Sequence, residues 1–214
     1  MKLEWIGHAC FKLEAQDGTT VITDPYDESV GIDMVPLYAD LITMSHEHHD
    51  HCETSMIVGR PVIAHGTQEV QVGSVTAKVV SSYHDDVQGA KRGSNAIRFF
   101  EIDGMKIVHL GDQGCMPDPA ALEAIADADV MMIPVGGTYT VDAQGAKEII
   151  DCTKPRCVIP MHVKTKRCPY PIAKVQEFLA MMDAKDAEAI DVLDMTRDTV
   201  PCGVVLMNPM ADEL

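Results

Sequence analysis

Six consecutive residues, His46-Glu47-His48-His49-Asp50-His51, hold four imidazoles and two carboxylates directly after the apolar run Leu41-Ile42-Thr43-Met44. Imidazole nitrogen and carboxylate oxygen are the donors that zinc and similar divalent ions take. Protonated histidines this close would repel one another, so a cation that keeps them neutral accounts for the cluster. On an extended segment, residues two apart project to one side. His46 and His48 can therefore converge on one ion while Glu47 and His49 point away. If the chain turns into a helix near Asp50, alternation ends there and Asp50 and His51 can both swing toward a second ion. The spacing predicts two metals. The competing reading is a solvated histidine-rich loop of the kind found in metal-affinity tracts.

The pattern His-x-His-x-Asp-His at the end of a strand resembles the signature of the metallo-β-lactamase superfamily. Four further segments resemble landmarks of one branch of that superfamily, in order along the chain: Trp5-Ile6-Gly7-His8-Ala9-Cys10-Phe11, Ile22-Thr23-Asp24-Pro25, His109-Leu110-Gly111-Asp112 and Pro160-Met161-His162. The branch contains uncharacterised metal-dependent hydrolases similar to ascorbate-6-phosphate lactonase and, more distantly, to N-acyl-phosphatidylethanolamine phospholipase D. The resemblance implies that His46, His48 and His84 hold a first metal and that Asp50, His51 and His162 hold a second, with Asp112 bridging the two. It also implies that Asp50 orients the attacking hydroxide and passes its proton to the leaving group. His84 is identified by position alone, in Ser81-Ser82-Tyr83-His84-Asp85, and His65, at the strand end Pro61-Val62-Ile63-Ala64-His65-Gly66, is its rival. Where the family often has threonine after Gly-Asp, this chain has Gln113.

Two divalent ions bridged by a carboxylate acidify a shared water toward hydroxide near neutral pH and polarise the carbonyl or phosphoryl group under attack. The expected activity is hydrolysis of an ester, lactone, amide or phosphodiester of a small molecule. No G-x-S-x-G elbow or other covalent-catalysis motif is present. Zinc suits this nitrogen and oxygen donor set, with manganese, iron or nickel as alternatives. A redox metalloprotein is the main alternative function, but flavodiiron relatives carry glutamate where this chain has His48. A non-catalytic metal-binding scaffold is the other, although such proteins tend to lose ligands.

Around these donors, Asp24 is read as a group that orients a ligating imidazole, against a turn initiator before Pro25. His8 is balanced between a contact in the cleft and a packed turn histidine. His109 is assigned to packing or support, and Cys52 and Cys115 to neutral neighbours. The basic run Lys164-Thr165-Lys166-Arg167 follows His162 closely. It reads as a solvated loop, although a loop just after a ligand is well placed to meet substrate.

Composition narrows the partners. A net charge of −16 disfavours nucleic acid and anionic membranes, which are bound by lysine and arginine. No apolar run is long enough to span a bilayer, and the N-terminus lacks the apolar stretch of a signal peptide. Seven cysteines at irregular spacing read as reduced thiols in a cytoplasmic protein, most of them filling core. The 14 methionines are adaptable apolar surface that a homo-oligomer could use. No linker divides the chain, so residues 1–214 are expected to form one hydrolase domain.

These donors need a scaffold. Strands are expected at Lys2 to Trp5, Cys10 to Leu13, Thr20 to Thr23, Leu41 to Met44 and Val62 to Ala64. Further strands fall near Ala77 to Ser81 and Ala96 to Glu101, then Met105 to His109 after a turn at Asp103-Gly104. Helices over Pro119 to Ala126 and Ala143 to Cys152 alternate with strands Val130 to Val135 and Cys157 to Met161. A longer helix over Pro171 to Met182 is expected from its apolar period of three to four. Strands near Ile190 to Leu193 and Val204 to Met207 close the chain. The order fits an α+β fold, a four-layer αββα sandwich with every proposed ligand at or beyond a strand end.

Overall fold

Alternation of buried apolar and more exposed polar positions opens β1 (Lys2–Gly7) and runs through β2 (Cys10–Glu14), whereas β3 (Thr20–Thr23) is buried throughout. The computed structural model describes all residues, 1–214. β4 (Leu37–Tyr38) and β6 (Ile57–Val58) form a separate two-stranded ribbon, while β5 (Leu41–Thr43) and β7 (Val62–Ala64) extend the first sheet. A second sheet follows from β8 (Val70–Val72), β9 (Val75–Tyr83), β10 (Ser94–Ile102) and β11 (Met105–His109). It continues through α1 (Pro119–Ile125), β12 (Val130–Pro134), α2 (Ala143–Thr153) and β13 (Cys157–Met161). The chain ends with α3 (Gln176–Met181), β14 (Val192–Asp194) and β15 (Gly203–Val204).

The strand orders are β14-β1-β2-β3-β5-β7 and β15-β13-β12-β11-β10-β9-β8. The two sheets share one apolar core, in which Leu3, Trp5, Phe11, Val21 and Leu41 of the first join Phe100, Ile107, Val130 and Ile159 of the second. On the first sheet, neighbours alternate between cores. Val21 and Leu41 face this core, whereas Ile22 and Ile42 face a smaller one with Tyr26, Val30, Ile32 and Leu37. That outer face is coated by loops and a 3-10 turn at Glu28–Val30. The helices belong to the second sheet. β11, β12 and β13 are parallel, and α1 and α2 are the crossovers between them, which a right-handed connection places on one face. The result is an α+β sandwich.

Topology also explains why the chemistry gathers at one edge. β3 and β5 are parallel, β1 is parallel to β3 through antiparallel β2, and β9 is parallel to β11 through antiparallel β10. The C-terminal ends of these strands and of β13 therefore open toward one rim. His8, Asp24, His46, His84, Asp112 and His162 all follow such ends.

Three expectations need correction. The helix over 171–182 is only Gln176–Met181. Ile172, Val175, Phe178 and Leu179 are buried as the period requires, but the Ala173 backbone is spent elsewhere. Its N–H donates to the Gly136 carbonyl and its carbonyl accepts from Lys164 N–H. Residues 46–51 form bends and turns rather than a helix start. Of the seven cysteines, all free, only Cys10, Cys157 and Cys168 are buried, so most are not core.

Candidate metal centre

Asp112 is the hub of the site. It follows β11 through Gly111 (φ 56°), where a Cβ would come within 2.4 Å of Ser45 Cβ, so the turn needs glycine. Its Oδ2 lies 3.2 Å from His51 Nε2, 3.3 Å from His84 Nε2 and 3.4 Å from His162 Nε2. Two donors sharing one ion at zinc bond lengths stand about 3.0–3.4 Å apart, and the observed separations fall at that spacing. They are long for charge-assisted hydrogen bonds.

A second convergence joins the first. His46, His48 and His84 bring donor atoms within 4.8 Å of one another. His65 does not join them. It is half-buried, with Nε2 3.5 Å from Glu47 Oε1, and it lines a neighbouring groove. His48 is exposed to the cleft, and Glu47 and His49 are exposed too. His49 Nδ1 meets Asp27 and Ser29 at the rim. Asp50 is half-buried, and its Oδ2 lies 3.4 Å from His8 Nε2 and 4.0 Å from His51 Nε2.

The supporting contacts fix ring orientation. Asp24, buried, accepts from Ser45 N–H at 2.7 Å and Ser45 Oγ at 2.5 Å, and pairs with His51 Nδ1 at 2.9 Å. Ser45 Oγ also meets His46 Nδ1 at 2.9 Å. With their Nδ1 atoms engaged, His46 and His51 present Nε2 toward the cluster, the arrangement that orients metal-ligating imidazoles. Gln113 is buried and donates to Ser82 Oγ and the Cys115 carbonyl, while its Oε1 accepts from Asn95 Nδ2. Asn95 Oδ1 in turn accepts Asp112 N–H. The residue that departs from the family thus braces the hub to β9. His109 meets the Ala9 carbonyl through Nε2 and accepts Gly111 N–H, so it supports the turn and lies outside the donor groups.

His8 is buried, with its ring centroid 4.1 Å from that of His162. It groups with His51 and His162. His8, Asp24 and His162 all have left-handed φ, at 54°, 38° and 52°. Such backbone is tolerated by Asp and His more than by most residues and concentrates at functional sites.

Electrostatics agree with a cation-binding role. Burial, reinforced by His51, lowers the His46 pKa to about 3, and burial, reinforced by His162, lowers that of His8 to about 4. Burial lowers His84 too. Burial alone would raise Asp112, yet His162 and His51 hold it well below the usual carboxylate range. His51 goes the other way: burial opposes its proton, but Asp112 and Asp24 raise its pKa well above the ordinary value. Two buried carboxylates flanking one ring call for positive charge between them. Buried polar atoms without any hydrogen-bond partner also concentrate here: His8 Nε2, His46 Nε2, His51 Nε2, His84 Nδ1, His162 Nδ1 and Asp112 Oδ1. Buried donors and acceptors are normally satisfied, so these side chains fit a divalent ion.

Outside the cluster, the basic run is spoken for. Lys164 Nζ donates to the Cys168 and Tyr170 carbonyls, Lys166 pairs with Glu213 and Arg167 with Asp33. Its contribution is to hold the loop that carries Tyr170. Cys52 and Cys115 stand apart from the donor groups, and burial raises the pKa of each thiol. Sequence reading passed over Arg92 and Tyr139, which line the cleft. The one signal available was their place in loops just beyond strand ends.

Packing around His84 leaves no spare volume. A Cβ on Gly114 would stand 2.2 Å from the His84 carbonyl carbon and 2.4 Å from Asp85 N. These are backbone atoms that cannot swing aside. Gly114→Ala is therefore expected to cost about 1–3 kcal/mol by overpacking and to lower bound metal. Thermal unfolding and elemental analysis of the purified variant check this, and an unchanged melting temperature with full metal content would contradict it.

Comparison with known proteins agrees with the geometry. Residues 2–162 match the β-lactamase superfamily domain. A UPF0173 metal-dependent hydrolase of Thermoplasma acidophilum is 31% identical over 190 residues, covering 77% of this chain and 84% of that protein. The crystal structure of a Thermotoga maritima protein, assigned to the zinc-dependent hydrolases of the metallo-β-lactamase superfamily, superposes with a TM-score of 0.80 at 35% identity. It covers 96% of this chain and 97% of its own. An isothiocyanate hydrolase from Delia radicum gut bacteria shares the fold at 14% identity, with a TM-score of 0.69 and full coverage of both chains.

Proposed function

The chain belongs to the β-lactamase superfamily and is a metal-dependent hydrolase of it; from that premise we propose that it works with two divalent ions. His46, His48 and His84 would hold the first, Asp50, His51 and His162 the second, and Asp112 would be shared between them. The observation that carries the reading is the meeting of three imidazole Nε2 atoms with one Asp112 oxygen at 3.2–3.4 Å, beside the group formed by His46, His48 and His84.

Such ions, when bound, supply an acidified water as nucleophile and polarise the bond it attacks. The chain's own groups do the rest. Asp24 and Ser45 hold His51 and His46 in the required tautomer. Asp50, half-buried at the cleft and steadied by His8, is placed to orient the nucleophile and carry a proton to the leaving group. The cleft, about 300 Å³ in volume, suits a small ester, lactone, amide or phosphodiester. A chain of net charge −16 is not built to grip nucleic acid, and no helix is long and apolar enough to cross a membrane. Residues 1–214 act as one domain, and the free cysteines suit a cytoplasmic enzyme. Zinc fits the nitrogen-rich donor set, and a histidine at position 48 argues against a redox diiron centre.

Metal removal tests the reading. Exhaustive chelation should abolish hydrolysis across a panel of esters, lactones, amides and phosphodiesters, and zinc or manganese should restore it with two ions per chain. Turnover that persists in fully stripped protein would refute the proposal.

A further inference from the structure

The wall of the cleft facing the histidines is made by Arg92, Tyr139 and Tyr170. Arg92 sits at the end of a loop folded around one buried carboxylate. Asp85 accepts the backbone N–H groups of Val87, Gly89, Lys91 and Arg92 at 2.7–2.9 Å. The loop is thereby held in one shape, and it delivers the Arg92 side chain to the cleft. The guanidinium lies over the Tyr139 ring, 5.6 Å from its centroid, and donates from Nη2 to the Thr138 carbonyl at 3.2 Å. Tyr139 meets the Tyr170 ring edge-on at 6.0 Å.

Arg92 is the only lysine or arginine lining this cleft. Its neighbour Lys91 is paired with Asp86, whereas Arg92 contacts only a carbonyl and a ring. Four of its five N–H donors remain to be used. A chain with nearly twice as many acidic as basic residues has ample carboxylate to neutralise a purely structural arginine. A cation held beside a site that gathers cations is repelled by it, unless an anion lies between them. From this we infer that Arg92 is the anion-binding subsite for substrate. It takes a carboxylate or phosphate carried by a small molecule whose planar or apolar body packs on Tyr139 and Tyr170. The inference rests on the hydrolase reading for the identity of the scissile bond, but not for the binding itself.

The test compares phenyl acetate with its para-carboxy and para-phosphonooxy analogues, using zinc-loaded wild type, R92A, R92K and R92Q. In wild type, kcat/KM should favour one or both anionic esters. In R92A the ratio of anionic to neutral kcat/KM should fall at least tenfold, mainly through KM. R92K should recover part of the preference, because a point charge replaces a planar fork. R92Q should behave as R92A while still able to donate to Thr138. The hydrogen bonds to Asp85 come from the main chain and persist in every variant. Calorimetric titration with benzoate and with phenyl phosphate, on metal-stripped and zinc-loaded protein, is the second readout. Tenfold or greater weakening in R92A and R92Q is expected, and the tighter of the two anions identifies the headgroup. If loaded wild type cleaves none of the esters while the titrations still depend on Arg92, hydrolysis of these esters fails and the subsite stands. Equal affinity in wild type and R92Q, or a uniform fall in turnover of all three esters, would overturn the inference and leave Arg92 as a clamp between two loops.

Discussion

Replacing Asp112 with alanine should abolish hydrolysis and reduce bound metal from two ions per chain to one or none. The carboxylate is buried, and one of its oxygens stands 3.2–3.4 Å from three imidazoles. Losing a partner that merely orients a ligand typically costs 10–100-fold in affinity or activity, so loss of the shared group itself should exceed about 100-fold. Asp112→Asn separates charge from shape. It keeps the acceptor volume but removes the negative charge that the proposed pair of divalent ions would need between them, so it should resemble alanine in activity while folding better. Activity together with elemental analysis decides the matter. A variant that keeps both ions and turns over at the wild-type rate would remove Asp112 from the centre.

Asp24 carries the second large effect. Its carboxylate satisfies Ser45 N–H, Ser45 Oγ and His51 Nδ1 at once, all buried. Asp24→Ala leaves Ser45 N–H and His51 Nδ1 without a partner and Ser45 Oγ with only His46 Nδ1, and removing one member of a buried charged network costs about 3–5 kcal/mol. Denaturant unfolding should show that loss directly. Asp24→Asn is milder. It can still accept from Ser45 N–H, but its amide presents N–H to His51 Nδ1 and favours the wrong tautomer, so metal affinity should fall roughly 10–100-fold.

The same residue gives a pH dependence. Burial alone would raise the Asp24 pKa, but the bond to His51 and the field of nearby histidines bring it below the usual value of 3.8. A carboxyl depressed in the folded state contributes stability that is present above its unfolded pKa and lost as pH falls through the folded one. Metal-free wild type should therefore lose stability below about pH 4 more steeply than Asp24→Asn. Parallel acid unfolding curves would show that Asp24 contributes nothing to that slope.

How much of this could be read in advance follows from the range of each interaction. The loop 46–51 declares its chemistry because six neighbouring residues carry the donors, and short spacing is a local property. The strands Thr20–Thr23, Val62–Ala64, Met105–His109 and Cys157–Met161 were legible for the same reason, and so was the helix capped by Asp118, whose side chain accepts Ala121 N–H. The helix expected over 171–182 was misjudged because the burial period is real while the hydrogen bonds of Ala173 go to residues in other elements. No local pattern records such a bond.

The amino-acid sequence alone thus determined the donor types, the histidine-rich loop and the class of scaffold. The tertiary structure decided that His84 and not His65 stands beside His46 and His48, that Asp24 orients His51, that Gln113 braces Asp112, and that Arg92 faces the cleft. The reason is geometric. These residues lie in loops beyond the ends of different strands, and they meet because parallel strand ends share one rim of the sandwich, a relation set by sheet order across more than a hundred residues of chain.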